Sequence, residues 1–553
     1  MAHGGRILVD ALKAHGVDRV FSVPGESYLA VLDGLYDSGI ENIVCRHEGG
    51  ASMMAEAHAK LTQAPGVCLV TRGPGATNAS AGVHVAKHDQ TPMILLVGQI
   101  ARPDRDREAF QEVDYRAMFA PLAKWVAEID QTDRIPEYIA RAFHVARSGR
   151  PGPVVLSLPE DMLAAEVEAT ALPVPAPPPR GVSDAARDAV ADAIRAAKKP
   201  LLIVGGTIWD QKAADDLARF ASAWQLPVAA PFRRQDHFDN RLEVYAGDLG
   251  VGFNPALGRT LEEADLVVSF GSRLSDVLTR GYTSMDPRAP HSRVVMIHPG
   301  PEQAGVLWRS DPAIVADPRD MAAALADMAA PEDIEDWRGW TQKARAAYDE
   351  WRKPRETPGD VKMERVIGWL CDNLPDDAII TNGAGNYAAF LHRYYQWKRM
   401  GTQLAPTSGS MGYGLPASIA ASLQHKDRVV VCLAGDGCMQ MTLNEMSTAR
   451  QYGAHPVVIV ANNGTYGTIR MHQEREYPGR VSGTDMANPD FAALARAYGG
   501  HGETVERTED FPDAFARARD AGRVAVIELR LDQEALTPGL TLSQIRKDAE
   551  KRG

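Results

Sequence analysis

Short apolar runs rich in Val, Ile and Leu recur along this chain, separated by stretches with helical spacing. In the first third they are NIVCR (42–46), GVCLVT (66–71) and MILLVG (93–98). PLLIVGG (200–206), LPVAA (226–230), ADLVVSFG (264–271) and RVVMIHP (293–299) follow. The last group is DAIITNG (377–383), DRVVVCLAG (427–435), PVVIVANN (456–463) and VAVIELRL (524–531). Runs of this length without polar alternation suit strands buried on both faces, and helices between them make parallel crossovers. The pattern predicts an α/β chain of three doubly wound parallel-sheet domains. A length of 553 residues is consistent with three or four domains.

Two stretches divide the groups. Residues 172–180, LPVPAPPPR, cannot continue a helix and read as a semi-rigid linker. Residues 331–361 are rich in Trp, Arg, Glu and Lys and end in PRETPGD, a second candidate connection. The expected domains are therefore 1–170, 186–345 and 358–553. No sequence repeat of fixed period is evident; the repetition is one of architecture.

Composition excludes several classes. The formal net charge is −12 and no Lys/Arg-rich tract occurs, which argues against nucleic acid as a partner. The first residues, MAHGGRILVDALKAHGV, pattern as an amphipathic helix rather than a signal peptide. No apolar run approaches the roughly 20 residues that span a bilayer. The 5 cysteines include no CxxC pair and suit reduced thiols in the cytoplasm.

The chemistry is concentrated in LAGDGCMQMTLNEMSTARQYGAHPVVIVANNGTYG (433–467). RVVVCLA (428–434) reads as a strand, residues 440–452 as a helix and PVVIVA (456–461) as the next strand. In such a βαβ unit both loops emerge at the carboxyl edge of the sheet, where ligands of open α/β folds bind. The Asp436 carboxylate and the Asn463 amide oxygen are hard donors that suit Mg²⁺. Mg²⁺ held by so few protein groups keeps phosphates as further ligands, so the stretch asks for a diphosphate bound through a divalent cation. Either loop alone is an ordinary turn composition; their conjunction is the informative signal.

Other stretches are less explicit alone. RHEGGASMMAEAHA (46–59) follows a strand and opens a helix with Glu48 in its first turn. TRGPGATN (71–78) is glycine-rich but lacks the GK[ST] of a nucleotide loop. EAFQEVDYRAMFAPLAKW (108–125) reads as a loop. APTSGSMGYGLPASIAASL (405–423) sets Met411 among glycines before a helix, where a thioether fills a core gap or supports a flat ligand.

RHEGGA, TRGPGATN, AFQEVD with PLAKW, the Gly-Ser-Met-Gly turn, and GDG with NN occur in an order that resembles the acetohydroxyacid (acetolactate) synthase-like group of thiamine-diphosphate enzymes. The resemblance covers essentially the whole chain. It implies a pyrimidine-binding domain, a central Rossmann-like domain and a diphosphate-binding domain. The first and third would pair across a homodimer, or a dimer of dimers, with each active site between two chains.

Residue by residue, the resemblance makes Glu48 the carboxylate that hydrogen-bonds the pyrimidine ring of thiamine. Met411 would fold the cofactor and the Gly409 carbonyl would meet its amine. Asp436, Asn463 and the Thr465 carbonyl would bind Mg²⁺. Gly437, Cys438, Tyr466 and Gly467 would line the diphosphate, and Gly385 and Asn386 its far end. Phe110, Gln111 and Lys124 match positions lining the second-substrate pocket.

In the central domain, residues 248–277 resemble a flavin-binding stretch, with Arg273 at a matching arginine. Relatives there bind FAD, another nucleotide or nothing; FAD is the favoured expectation, although PLLIVGG lacks GxGxxG. The implied reaction is decarboxylation of a 2-oxo acid such as pyruvate followed by carboligation to a second carbonyl. The alternative is a non-ligating decarboxylase of the benzoylformate decarboxylase type, which NNGTYGTIRMHQ (462–473) resembles equally. The paired histidines of pyruvate decarboxylase are absent, since KHD (87–89) offers only His88. A non-catalytic relative would need none of Glu48, Asp436 and Asn463. His472 stands where synthases preferring 2-oxobutanoate carry a tryptophan.

Overall fold

A computed structural model describes residues 1–172, 181–303, 305–332 and 334–552. The proposed linker, apart from Leu172, lies outside the described residues. Three six-stranded sheets dominate, and every paired neighbour within them is parallel.

The first sheet contains β1 (Arg19–Ser22), β2 (Glu41–Val44), β3 (Gly66–Val70), β4 (Met93–Gln99), β5 (Trp125–Glu128) and β6 (Pro153–Pro159). Its spatial order is β2-β1-β3-β4-β6-β5. The central sheet contains β7 (Pro200–Val204), β8 (Val228–Pro231), β9 (Tyr245–Leu249), β10 (Leu266–Phe270), β11 (Arg293–His298) and β12 (Ser310–Val315), ordered β9-β8-β7-β10-β11-β12. The third contains β13 (Ile379–Asn382), β14 (Gln403–Leu404), β15 (Val430–Gly435), β16 (Val457–Asn462), β17 (His501–Val505) and β18 (Ala525–Arg530), ordered β14-β13-β15-β16-β18-β17. The first and third sheets thus share one strand order, while the central sheet has the order of dinucleotide-binding folds. The architectural repeat is twofold plus one, not threefold.

The strands form where the apolar runs predicted them. β3, β4 and β6 are buried along their whole length. Fully burying one Val or Leu contributes about 1.5–3 kcal/mol, so these central strands anchor the first domain. β6 escaped the sequence reading because PVVLSLP begins and ends in proline, which is unusual in a central strand. Pro153 is tolerated as the first residue, before a ladder donor is needed.

Two stretches take a more definite form than the sequence specified. Within 331–361, the second candidate connection, residues 335–352 form one helix (Glu335–Arg352). Trp337, Ala344 and Tyr348 bury against the central cores, and the Trp337 and Trp340 indoles donate to the Ala197 and Pro200 carbonyls at 2.9 and 3.0 Å. The helix expected over 440–452 instead starts at Asp436 and breaks: Asp436–Thr442, a 3₁₀ turn Leu443–Glu445, then Met446–Tyr452. Thr442 leaves helical geometry (φ −139°), and its hydroxyl donates to the Gly412 carbonyl.

The described chain forms two compact units. One holds residues 1–172, 406–426 and 441–455; the other holds 181–405, 427–440 and 456–552. The turn carrying Gly409 and Met411 therefore belongs to the same unit as the Glu48 helix.

Candidate active site

In the second unit, the strand order of the third sheet reverses between β13 and β15, so their carboxyl ends open a crevice. Gly385 and Asn386 follow β13; Asp436, Gly437 and Cys438 follow β15; Asn463 to Gly467 follow the neighbouring β16. The loops are locked together. The Cys438 thiol donates to the Ala384 carbonyl at 2.9 Å, and the Tyr387 hydroxyl lies 3.3 Å from the same sulfur. Asn386 accepts from the Thr468 hydroxyl at 3.0 Å, which joins its loop to helix Gly467–Glu476.

Asp436 is buried, and its burial pushes the carboxyl above the usual range despite several donors. One oxygen accepts from the Gly437 amide at 2.8 Å; the other accepts from the Gly464 amide at 2.9 Å and the Asn488 side chain at 2.8 Å. Asn462 turns inward to donate to Glu528 at 2.6 Å, while the Asn463 amide oxygen accepts from Thr465 N at 3.2 Å. Gly464 between them has φ +66°, which lets the loop reverse at the strand end. Among the described residues, no three or more His, Cys, Asp or Glu side chains are grouped so that they alone could hold a metal ion. Sequence reading missed Asn488 and Tyr387. Nothing local marks Asn488, which lies in a loop 52 residues beyond Asp436.

In the first unit, Glu48 begins helix Glu48–Thr62 and is half-buried. The His47 ring caps the helix by accepting from the Gly49 amide. The Asn78 amide donates to Glu48 Oε2 at 2.9 Å. A Cβ on Gly75 would lie 3.4 Å from Glu48 Oε1, so the turn after β3 runs beside this carboxyl. Gln111, at φ +66°, meets the same turn at Gly73, where an added Cβ would come within 2.8 Å of the Gln111 Cβ. Glu48 and Gln111 thus flank the Gly73–Gly75 turn, and neighbouring Phe110 is exposed. The stretch read as loop holds a short helix, Tyr115–Phe119, whose Tyr115 hydroxyl accepts from Gly73 N at 2.7 Å.

Lys124 is placed differently. It precedes β5, at the amino edge of the first sheet, and its ammonium donates to the Val145 and Ser148 carbonyls, both at 2.6 Å. These are the free carbonyls ending helix Ile135–Arg147, so Lys124 serves as a cap and does not join Gln111 at the Gly73 turn.

The turn bearing Gly409 (φ +69°) and half-buried Met411 is held from the Glu48 side of its own unit. Asp89 accepts from the Thr407 amide at 2.6 Å and from its hydroxyl, and pairs with Lys60. Lys60 also pairs with Glu56 at 2.9 Å, which accepts from the Tyr413 hydroxyl at 2.6 Å and the Thr91 hydroxyl at 2.7 Å.

Comparisons with known proteins agree with this layout. Residues 2–118 match the N-terminal TPP binding domain of thiamine pyrophosphate enzymes, 187–325 their central domain, and 383–529 their C-terminal TPP binding domain. The acetolactate synthase large subunit of Parasynechococcus marenigrum is 33% identical, over 96% of this chain and 87% of its own length. The isozyme 2 large subunit of Escherichia coli is 30% identical, over 96% of both chains. That of Corynebacterium glutamicum is 32% identical, over 96% of this chain and 87% of its own.

The chain belongs to the thiamine-diphosphate-dependent enzymes. It is acetolactate synthase-like within them.

The residues present fit the cofactor this thiamine-diphosphate enzyme requires. Gly437 and Cys438 lie in the first turn of a helix, where backbone amides lack intrahelical acceptors and favour an anion. Tyr466 is partly exposed, and Gly467 opens the next helix. Arg273 lies just past β10, at the reversal point of the central sheet between β7 and β10. The glycine turns there pack closely: a Cβ on Gly271 would lie 2.4 Å from the Gly205 carbonyl. His472 is exposed on helix Gly467–Glu476. Among the described residues no helix is long and apolar enough to cross a membrane, and all 5 cysteines are buried and free of disulfides.

Proposed function

We propose that this enzyme decarboxylates a 2-oxo acid such as pyruvate and joins the remaining acyl unit to a second carbonyl compound. The observation that supports this reading is that Glu48 and Gln111 each lie against the Gly73–Gly75 turn. It sets a carboxyl for the pyrimidine beside a side chain for a second substrate, in a chain whose relatives are named acetolactate synthases. When bound, thiamine diphosphate supplies the electron sink that lets the 2-oxo acid lose carbon dioxide.

The protein's part is to bind and orient. Glu48, steadied by Asn78, shares a proton with the pyrimidine ring nitrogen. Gly409 would meet the ring's amine through its carbonyl, and Met411 would support the cofactor. Gly385, Asn386, Gly437, Cys438, Tyr466 and Gly467 receive the diphosphate. Asp436, Asn463 and the Thr465 carbonyl hold Mg²⁺, a hard cation matched to oxygen donors. Phe110 and Gln111 border the acceptor.

With Glu48 in one compact unit and Asp436 in the other, we take the functional assembly to be a homodimer or a dimer of dimers. Each site then combines Glu48 of one chain with Asp436 of another. For the central domain we favour FAD, on Arg273 and the strand order; the visible absorbance of the purified protein tests it. Simple decarboxylation is the second reading, supported by the 462–473 stretch.

Glu48→Gln tests the reading. It keeps size and hydrogen bonding but removes the shared proton, so most turnover should disappear while thiamine diphosphate still binds. Near-normal turnover would overturn the role of Glu48.

A further inference from the structure

Glu445 ends the 3₁₀ turn Leu443–Glu445, and none of its surface is exposed. Its carboxylate reaches the segment that leads into Glu48. Oε1 accepts from the His47 amide at 2.9 Å and the Arg46 amide at 3.1 Å. Oε2 accepts from the Arg46 amide at 3.2 Å and the Thr448 hydroxyl at 2.6 Å. Gly50, in the first turn of the Glu48 helix, gives it room: a Cβ there would lie 2.4 Å from Oε1. The rest of this segment grips the same region. The Tyr452 hydroxyl accepts from Val44 N at 2.8 Å and donates to the Asn42 carbonyl at 3.0 Å.

A buried carboxylate is costly unless its oxygens are paired, and here two successive backbone amides and one hydroxyl pair them. A general stabilising cap could sit at any helix start. This one binds the two residues immediately before the acid that the proposed function gives to thiamine, and it lies far from them in sequence. The Glu445 carboxylate thus holds the two backbone amides immediately before Glu48.

We infer that Glu445 is a positioning residue that fixes Glu48 at the distance and angle needed to engage the pyrimidine ring. This rests on the reading of Glu48 given above. Misplacing a reacting group by about 1 Å can cost roughly 100-fold. Glu445→Gln keeps the shape but turns an NH₂ group toward the Arg46 or His47 amide.

The experiment compares wild type, Glu445→Gln, Glu48→Gln and the double variant, with and without cofactor. In cofactor-free protein, hydrogen exchange of the peptide spanning residues 44–50 should accelerate in Glu445→Gln while distant peptides stay unchanged. With cofactor, kcat should fall about 10- to 100-fold with little change in KM or thiamine diphosphate affinity. The double variant should be no slower than Glu48→Gln alone, because the two residues act as one unit.

Unchanged exchange at 44–50, normal kcat, or losses that multiply in the double variant would each overturn the inference. Normal turnover in Glu48→Gln would instead remove the reading beneath it. Should Glu445→Gln fail to fold, Thr448→Val decides, since it leaves the carboxylate and removes one donor. It should show the same local exchange and a several-fold loss in kcat; wild-type exchange and wild-type kcat in this variant would overturn the inference.

Discussion

The Asn488 side-chain amide donates to the Asp436 carboxylate at 2.8 Å, and the same nitrogen lies 2.8 Å from the Asn462 amide oxygen. One side chain thereby ties together the ends of β15 and β16. Groups that orient a metal's ligands typically carry 10- to 100-fold of its affinity. Asn488→Ala should therefore weaken Mg²⁺-dependent binding of thiamine diphosphate by about that factor with the fold intact. Fluorescence titration with Mg²⁺ at fixed cofactor checks this; wild-type affinity would show that Asn488 orients nothing.

Lys60 sits between two carboxylates, Glu56 and Asp89, both buried. Lys60→Met removes the cation that pairs with both acids. The expected loss is about 3–5 kcal/mol at neutral pH, read from urea unfolding. Burial raises the Glu56 carboxyl above its ordinary value even with Lys60 beside it. The variant's deficit should shrink as pH falls, because protonation relieves the charge that Lys60 no longer offsets. A deficit independent of pH would contradict this.

The fold was readable because burial on both faces demands uninterrupted apolar strands, and those runs are visible at β3, β4, β15 and β16. β14 and β17, at the edges of the third sheet, were not, since β14 has only 2 residues and β17 mixes polar residues into its run. At the site, Asp436 and Asn463 announced themselves because a glycine-flanked acid and an Asn pair end adjacent apolar runs. Asn488 and Glu445 gave no local signal, since their roles exist only after loops far apart in sequence meet. Lys124 shows another limit: its residue type suits substrate binding, while its place before β5 and its bonds to the Val145 and Ser148 carbonyls emerge only in the fold.

Glu474, on helix Gly467–Glu476, has a fully buried side chain held by Arg546 at 2.5 and 2.7 Å. Hydrogen bonding to Arg546 is the main cause of its carboxyl lying at about 2, with the Gly479 amide and Arg470 adding to it. A carboxyl lower in the folded than in the unfolded state contributes stability above its ordinary value, lost as pH falls. Stability should thus decline from about pH 4.5 toward about pH 2, and Glu474→Gln should flatten that limb. Arg546→Ala should cost about 1.5–3 kcal/mol near neutrality. Unfolding curves across that range check both; an unaltered acid limb in Glu474→Gln would contradict the assignment.

By the family resemblance His472 would stand where synthases selective for 2-oxobutanoate carry tryptophan; it is exposed on its helix. Imidazole covers less apolar surface than indole. One methylene is worth only about 1–3 kcal/mol even in a well-packed pocket. Competition between the two oxo acids should therefore show little preference for 2-oxobutanoate over pyruvate, and His472→Trp should raise that preference. A strong bias in the unaltered enzyme would contradict this account of the acceptor.

Product analysis with pyruvate as sole substrate, in the presence of thiamine diphosphate and Mg²⁺, tests the central claim most directly. Acetolactate should accumulate, and removing Mg²⁺ with a chelator should abolish it. Acetaldehyde without acetolactate would contradict carboligation, and activity that survives loss of both cofactor and cation would contradict the thiamine chemistry itself.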